Sequence, residues 1–215
     1  MKEMGITPDK PYKKSARIVG QVLGLYHPHG DSSVYSAMVR LSQSYKVKIP
    51  LIDGHGNFGS IDGDSPAAMR YTEARLSEPA LYLLQDLEKG VVEMKENFDA
   101  SELEPVVLPA LIPQLFLNGG SGIAVGMKTN IPPHNSNELI DATLHLMKKP
   151  NAKLDELLGF VLGPDYPSGG IIINADELRS IYETGQGKAV IRSKIEIEAT
   201  KYGKTNLIVT EIPFT

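Results

Sequence analysis

Eight prolines between positions 105 and 167 constrain this chain more than any other feature. A proline inside a helix removes a backbone donor and drives its ring into the preceding turn, so recurring prolines exclude long helices. Pro105, Pro109, Pro113, Pro132, Pro133, Pro150, Pro164 and Pro167 leave helical room only around 136–148 and, past the last of them, 175–184. Residues 171–174 and 187–213 carry β-like patterns, such as Ile195-Glu196-Ile197-Glu198-Ala199, and are expected to be strands. The chain before Pro105 reads differently. Residues 14–26 put Ala16, Val19, Val22, Leu23 and Tyr26 near one helical face, and His27-Pro28-His29-Gly30 then breaks the helix. Asp31 or Ser32 offers an N-cap for a second helix running to about Tyr45. Residues 47–64 read as two short strands around a glycine-rich loop, and 72–88 resume helical spacing through Leu76, Ala80, Leu83, Leu84 and Leu87. Helix, short turn, helix and β-wing make a winged-helix domain over 1–105, followed by a β-rich domain over 106–215. The predicted class is α+β.

Composition narrows the chemistry. No cysteine is present, which excludes disulfides and thiolate catalysis and fits a cytoplasmic location. No apolar run approaches the roughly 20 residues of a membrane span, and Met1-Lys2-Glu3-Met4-Gly5 lacks the apolar core of a secretory leader. The chain opens without a cap and stops at Ile212-Pro213-Phe214-Thr215 straight after a strand-like run, so both ends are expected to be cuts within a larger protein. A net charge of −4 argues against nucleic acid, but its distribution does not. Residues 1–76 hold ten Lys and Arg against seven Asp and Glu, a net of +3, and the remainder holds −7. Such asymmetry permits a phosphate-binding face, although many proteins have it without one.

The stretch Ala67-Ala68-Met69-Arg70-Tyr71-Thr72-Glu73 carries the sharpest chemistry. A phenol ionises near ~10 and is a weak nucleophile until a cation or metal favours its charged form. A neighbouring arginine fork can hold phosphate oxygens where charge builds up. An isolated Arg-Tyr pair is more often a surface arginine beside a packed tyrosine. Two other readings stand beside it: a non-catalytic winged-helix DNA-binding protein, and a hydrolase using Asp53, Asp62 and Asp64. Those acids fit no calcium-loop spacing, and Gly-Asp pairs are ordinary turn formers, so no metal site is expected from them.

Four blocks occur in order: His27-Pro28-His29-Gly30-Asp31-Ser32, Asp53-Gly54-His55-Gly56-Asn57-Phe58-Gly59-Ser60, Ala67 to Glu73, and Asn130-Ile131-Pro132-Pro133-His134-Asn135. Together they resemble the A subunits of bacterial type IIA topoisomerases, DNA gyrase and topoisomerase IV, across essentially the whole chain. The resemblance implies a winged-helix domain followed by part of a tower domain. It implies an activity as well: breakage of DNA through a transient 5′-phosphotyrosine link, passage of a second duplex, and resealing. Tyr71 matches the nucleophile, Arg70 the transition-state arginine, and His29 a histidine beside the cleaved phosphate, with His27 nearby. Lys13, Lys14 and Arg17, at the start of the first helix, match phosphate contacts. Asp31, Ser32 and Ser33 lie at the start of the second helix, where backbone N–H groups can receive a phosphate.

Asn118-Gly119-Gly120-Ser121-Gly122-Ile123-Ala124-Val125-Gly126 lacks the Lys-Ser/Thr ending of a nucleotide-binding loop. Read alone, Ile123 could be a core residue of a strand; the resemblance makes it a wedge between base pairs. Ser32 matches the family's main quinolone-contacting hydroxyl. Four residues on, the family usually has Asp or Glu where this chain has Ser36, so a weaker water–metal bridge to quinolones is expected. The resemblance further implies a B-subunit partner that holds Mg2+ and ATP, an A2B2 assembly containing an A homodimer, double-stranded DNA as substrate, and a location in the bacterial cytoplasm with the nucleoid.

Overall fold

A computed structural model describes residues 1–201 and 203–214. The chain divides into two compact units, Met1–Gln114 and Leu115–Thr215. Both mix helices with small antiparallel sheets, which is an α+β architecture.

In the first unit, β1 (Lys13–Lys14) runs into α1 (Ser15–Leu25), and α2 (Asp31–Ser42) follows the His-Pro-His-Gly break. Next come β2 (Ile52–His55), β3 (Glu73–Leu76) and α3 (Glu78–Leu84), then the hairpin of β4 (Met94–Glu96) and β5 (Leu103–Pro105). β3 is the central strand of a three-stranded sheet ordered β1-β3-β2. Its register pairs Lys14 with Glu73 on one side and His55 with Glu73 on the other. Ile18 and Val19 of α1, Met38 and Val39 of α2, Ile52 of β2, and Ala74 and Leu76 of β3 close one core with Ile6, Phe58 and Ala80.

Several local expectations need correction here. Residues 73–76 form a strand, not the start of a helix. Thr72, Ala74 and Leu76 are buried while Glu73 and Arg75 are not, a period of two that the helical spacing further on masks. The helix begins only after Ser77, with Pro79 in its first turn, where the missing N–H costs nothing. Residues 47–64 hold one strand rather than two, and its partner is β3. Lys13 and Lys14 lie in β1, ahead of the helix rather than on it. The cap of α2 is Gly30, with no side-chain capping bond, and Asp31 is already helical. That helix stops at Ser42 instead of Tyr45 because Gln43 turns inward and donates to the Phe58 carbonyl at 2.7 Å.

In the second unit, α4 (Gln114–Leu117), which starts at the boundary, precedes the hairpin of β6 (Gly120–Ala124) and β7 (Met127–Ile131). α5 (Ser136–Lys148) fills the window the prolines leave open. Its cap is Asn135, whose side chain accepts from the N–H of Asn137 and Glu138. α6 (Leu154–Leu157), β8 (Ile171–Ile172), α7 (Leu178–Thr184), β9 (Ile191–Arg192), β10 (Lys194–Ala199) and β11 (Thr205–Glu211) follow, pairing β8 with β9 and β10 with β11. β10 and β11 fall within 187–213 as expected, but the strand expected to open that range shortens to Ile191–Arg192. The β6–β7 hairpin spans the glycine-rich stretch, where Ile123 stands in a strand but not in a core.

Candidate functional site

Tyr71 closes a turn in which its N–H donates to the Ala68 carbonyl at 2.9 Å, two residues before the central strand. Its side chain is 64% exposed. The Arg70 guanidinium lies 4.7 Å from the centre of its ring, a stacking contact that holds cation and phenol side by side.

The turn is fastened from behind. The first N–H groups of a helix have no partner within it. In α1 two of them are satisfied by this turn: Ser15 donates to the Thr72 carbonyl at 2.9 Å and Ala16 to the Met69 carbonyl at 3.2 Å. The Tyr35 hydroxyl of α2 donates to the Ala67 carbonyl at 2.7 Å and lies 2.9 Å from the Thr72 hydroxyl. The Thr72 hydroxyl stands 2.8 Å from that of Ser15, and both residues are fully buried. The Asp53 to Ser60 block supports the same loop. Ala67 donates to the Asn57 carbonyl at 3.0 Å. Gly56, at φ +114, passes against the backbone of Tyr71 and Thr72, a conformation that side chains rarely adopt.

The basic and histidine residues fall into separate groups. Lys14 is paired with Glu73 at 3.1 Å, and His55 reaches the same carboxylate at 3.2 Å. Hydrogen bonds from His55 first, and then from Lys14, hold the Glu73 carboxyl below its usual range. Lys13, Arg17 and Arg70 form no ion pair among the described residues, so their charges face outward. The His27 and His29 rings meet edge to face at 4.6 Å, and His27 Nε2 lies 3.4 Å from the Ser33 hydroxyl. Ser33 donates to the Gly30 carbonyl at 2.7 Å. Asp31, Ser32, Ser33 and Ser36 are all exposed on α2. Tyr35 of α2 hydrogen-bonds the tyrosine turn.

In the second unit, Ile123 pairs across the hairpin with Lys128 and is 94% exposed, so it is not a core strand residue. Val125 and Met127, beside the turn, are exposed too. The base of the hairpin is held by His134, which is 2% exposed. Its Nδ1 lies 3.0 Å from the Phe116 carbonyl, which can only accept, so Nδ1 carries the proton. Nε2, at 2.7 Å, then accepts from the Tyr182 hydroxyl. Burial pushes His134 below its ordinary range and Tyr182 up to about 12, which favours this neutral arrangement.

Among the described residues no three His, Asp or Glu side chains gather as a metal site. Asp53 accepts from Tyr12 and Arg75, both at 2.8 Å, and Asp64 from Ser60 at 2.7 Å, which are structural roles. No helix among the described residues is long and apolar enough to cross a membrane. Sequence reasoning finds the exposed groups and misses those behind them: Ser15 and Thr72, which are buried, and Tyr35 and Tyr182, which are half-buried.

The family model for the A subunit of DNA gyrase/topoisomerase IV matches residues 1–215. The DNA gyrase A subunit of Streptococcus pneumoniae is 54% identical over 214 residues, covering 100% of this chain and 26% of that protein. The proteins of the same name from Staphylococcus epidermidis and Streptococcus pyogenes are also 54% identical over 214 residues. The chain thus spans about a quarter of the length of these curated relatives, 26% and 24% in two of them.

Proposed function

The chain belongs to the family of DNA gyrase and topoisomerase IV A subunits, and from that premise we propose that it is the part of a type IIA topoisomerase that breaks and rejoins DNA, with Tyr71 as nucleophile. The observation that carries the reading is the Tyr71 side chain, exposed on a turn whose flanks are fixed by α1 and α2, with the Arg70 guanidinium against its ring. The reaction is a transesterification. The phenolic oxygen bonds to phosphorus as the bond from phosphorus to the DNA 3′-oxygen breaks. The phenolic proton goes to solvent, and the 3′-oxygen takes one up to become a free hydroxyl. One phosphodiester replaces another, so the link reverses without ATP. Arg70 swings from the ring to the phosphate oxygens, where its fork offsets the charge that builds up.

Around this centre we assign a winged-helix domain, built from α1, α2 and the β1-β3-β2 sheet, and a segment of a tower domain beyond it. The outward charges of Lys13 and Arg17 contact phosphates, and His29, with His27 beside it, sits next to the cleaved one. Lys14 joins them only by releasing Glu73. The N-terminus of α2, from Asp31 to Ser33, receives a further phosphate, and Ile123 wedges between base pairs to bend the duplex. Ser32 and Ser36 form the quinolone-facing edge, weakened by the missing acid at 36. Among the described residues no cluster fits a metal centre; on the family membership we assign Mg2+ and ATP to a partner B subunit in an A2B2 assembly in the cytoplasm. The names of the 54% identical relatives favour gyrase over topoisomerase IV.

The test is Tyr71→Phe in the full-length protein reconstituted with its B subunit. DNA binding should survive, and the covalent adduct trapped by denaturant should disappear. Any protein-linked DNA from the Phe variant would sink the assignment.

A further inference from the structure

The contacts behind Tyr71 have a use of their own. The turn needs little help to be stable as backbone. Ala67 donates to Asn57, Tyr71 donates to Ala68, and the Thr72 carbonyl accepts from Ser15. Yet a phenol side chain reaches away from α2 and spans the turn from the inside. The Tyr35 hydroxyl touches the residue four before Tyr71, at 2.7 Å, and the residue one after it, at 2.9 Å. Behind it, Thr72 passes the connection to Ser15 at the first turn of α1. The nucleophile is thereby tied through one line of hydroxyls, half-buried at Tyr35 and buried at Thr72 and Ser15, to the two helices that carry Lys13, Arg17 and Ser32 at or beside their first turns.

We propose that Tyr35 is a positioning residue of the cleavage reaction: its hydroxyl clamps both flanks of the Ala68–Tyr71 turn and so fixes where the Tyr71 oxygen sits relative to a phosphate bound by α1 and α2. This rests on Tyr71 being the nucleophile. In-line attack on phosphorus demands placement within a fraction of an ångström, and a displacement of about 1 Å can slow such a step ~100-fold. Removing the Tyr35 hydroxyl leaves the backbone bonds and the Thr72–Ser15 pair intact, so the turn loosens without unfolding. Because attack and resealing pass through the same geometry, both slow by the same factor, and the proportion of DNA held as adduct at equilibrium does not change. A merely structural role gives the opposite pattern: less competent enzyme, hence less adduct, at unchanged rates.

The experiment uses the full-length protein, its B subunit, and one defined duplex, and measures adduct formation and resealing rates by rapid quench. Wild type, Tyr35→Phe, Thr72→Val, Thr72→Ser and Tyr71→Phe are run side by side. Tyr35→Phe should slow both rates by roughly 10- to 100-fold, while DNA affinity changes less than about twofold and the equilibrium adduct level holds. Thr72→Ser, which keeps the hydroxyl, should stay near wild type, and Thr72→Val should slow both rates. Wild-type rates in Tyr35→Phe overturn the proposal, as does lost adduct at unchanged rates. If Tyr35→Phe does not fold, the Thr72 pair decides: equal rates for Val and Ser overturn it. Adduct in Tyr71→Phe would instead show that the nucleophile itself is misassigned, a failure distinct from a silent Tyr35.

Discussion

The Tyr71 turn and the Ile123 hairpin both present one residue to solvent, but they are held in opposite ways. The turn is pinned within two residues of the exposed side chain: Thr72, its neighbour, is fully buried and bonded to two helices. The hairpin is pinned only at its base. From Gly120 to Ile131 its strands touch chiefly each other, and fixed structure begins again at Gly119 and His134. A nucleophile must be placed to a fraction of an ångström. A wedge between base pairs, the role proposed for Ile123, needs only reach and direction. Rigidity lies where the proposed chemistry asks for it.

The comparison breaks most violently at Gly119. A Cβ there would sit 2.3 Å from the Ile131 carbonyl oxygen, a backbone atom that cannot move aside, and φ is +71. Gly119→Ala should therefore cost the hairpin base more than about 3 kcal/mol, combining the left-handed strain with the clash. Hydrogen exchange should show lost protection over 120–131 with no change around Tyr71. Unchanged protection in the hairpin would mean that its base is set elsewhere.

His134 comes next. Replacing it with Leu leaves the Phe116 carbonyl and the Tyr182 hydroxyl without their partner, at a cost of about 2–4 kcal/mol. The same site gives a pH dependence. Burial depresses the imidazole below its ordinary value of 6.5 in the folded state. Its contribution to stability is thus complete above about 6.5. As pH falls below that, the unfolded chain takes up a proton that the folded chain refuses, and stability declines until the lower folded value is reached. Protection factors of amides in α4 and α7, corrected for the base-catalysed intrinsic rate, should be lower at pH 5.5 than at 7.5, and a His134→Leu protein should lose most of that difference. An equal pH response in both proteins would remove His134 from the account.

How much of this is legible in the sequence depends on which force sets each element. Helices α1 and α2 can be read from apolar spacing around the His27–Gly30 break, and α5 from the window the prolines leave, but the caps of α1 and α2 cannot, since no side chain caps either. Strand β3 cannot, because Leu76 fits the helical spacing that continues through Ala80 and Leu83 as well as it fits the strand, and only tertiary pairing with β1 and β2 decides between them. The β6–β7 hairpin is hidden by Gly120 and Gly122, which carry no side chain to alternate. At the site, Arg70 and Tyr71 stand out through a block of residues matching a family. Ser15, Tyr35 and Thr72 do not, since a serine, a tyrosine and a threonine 57 positions apart at most have no local pattern and meet only when the chain folds.

The smallest effect on the protein alone should come from Ile123→Ala, and that smallness is what sharpens the comparison. At 94% exposure the side chain has almost no buried area to lose, so stability should move by less than about 0.5 kcal/mol. Hairpin exchange rates should match wild type, unlike those of Gly119→Ala. The consequence appears only with DNA. An apolar wedge unstacks a base step at a cost of a few kcal/mol, offset by contacts that the bent duplex makes along the protein. Alanine cannot fill the opened step, so bending of intact duplex should weaken in the full-length enzyme, read as reduced energy transfer between end-labelled fluorophores. Nicked or pre-bent DNA already carries much of that deformation, and its affinity should stay nearly unchanged. Unaltered bending of intact duplex by Ile123→Ala would place the wedge on another residue of the hairpin, with Val125 and Met127 the exposed apolar side chains left to supply it.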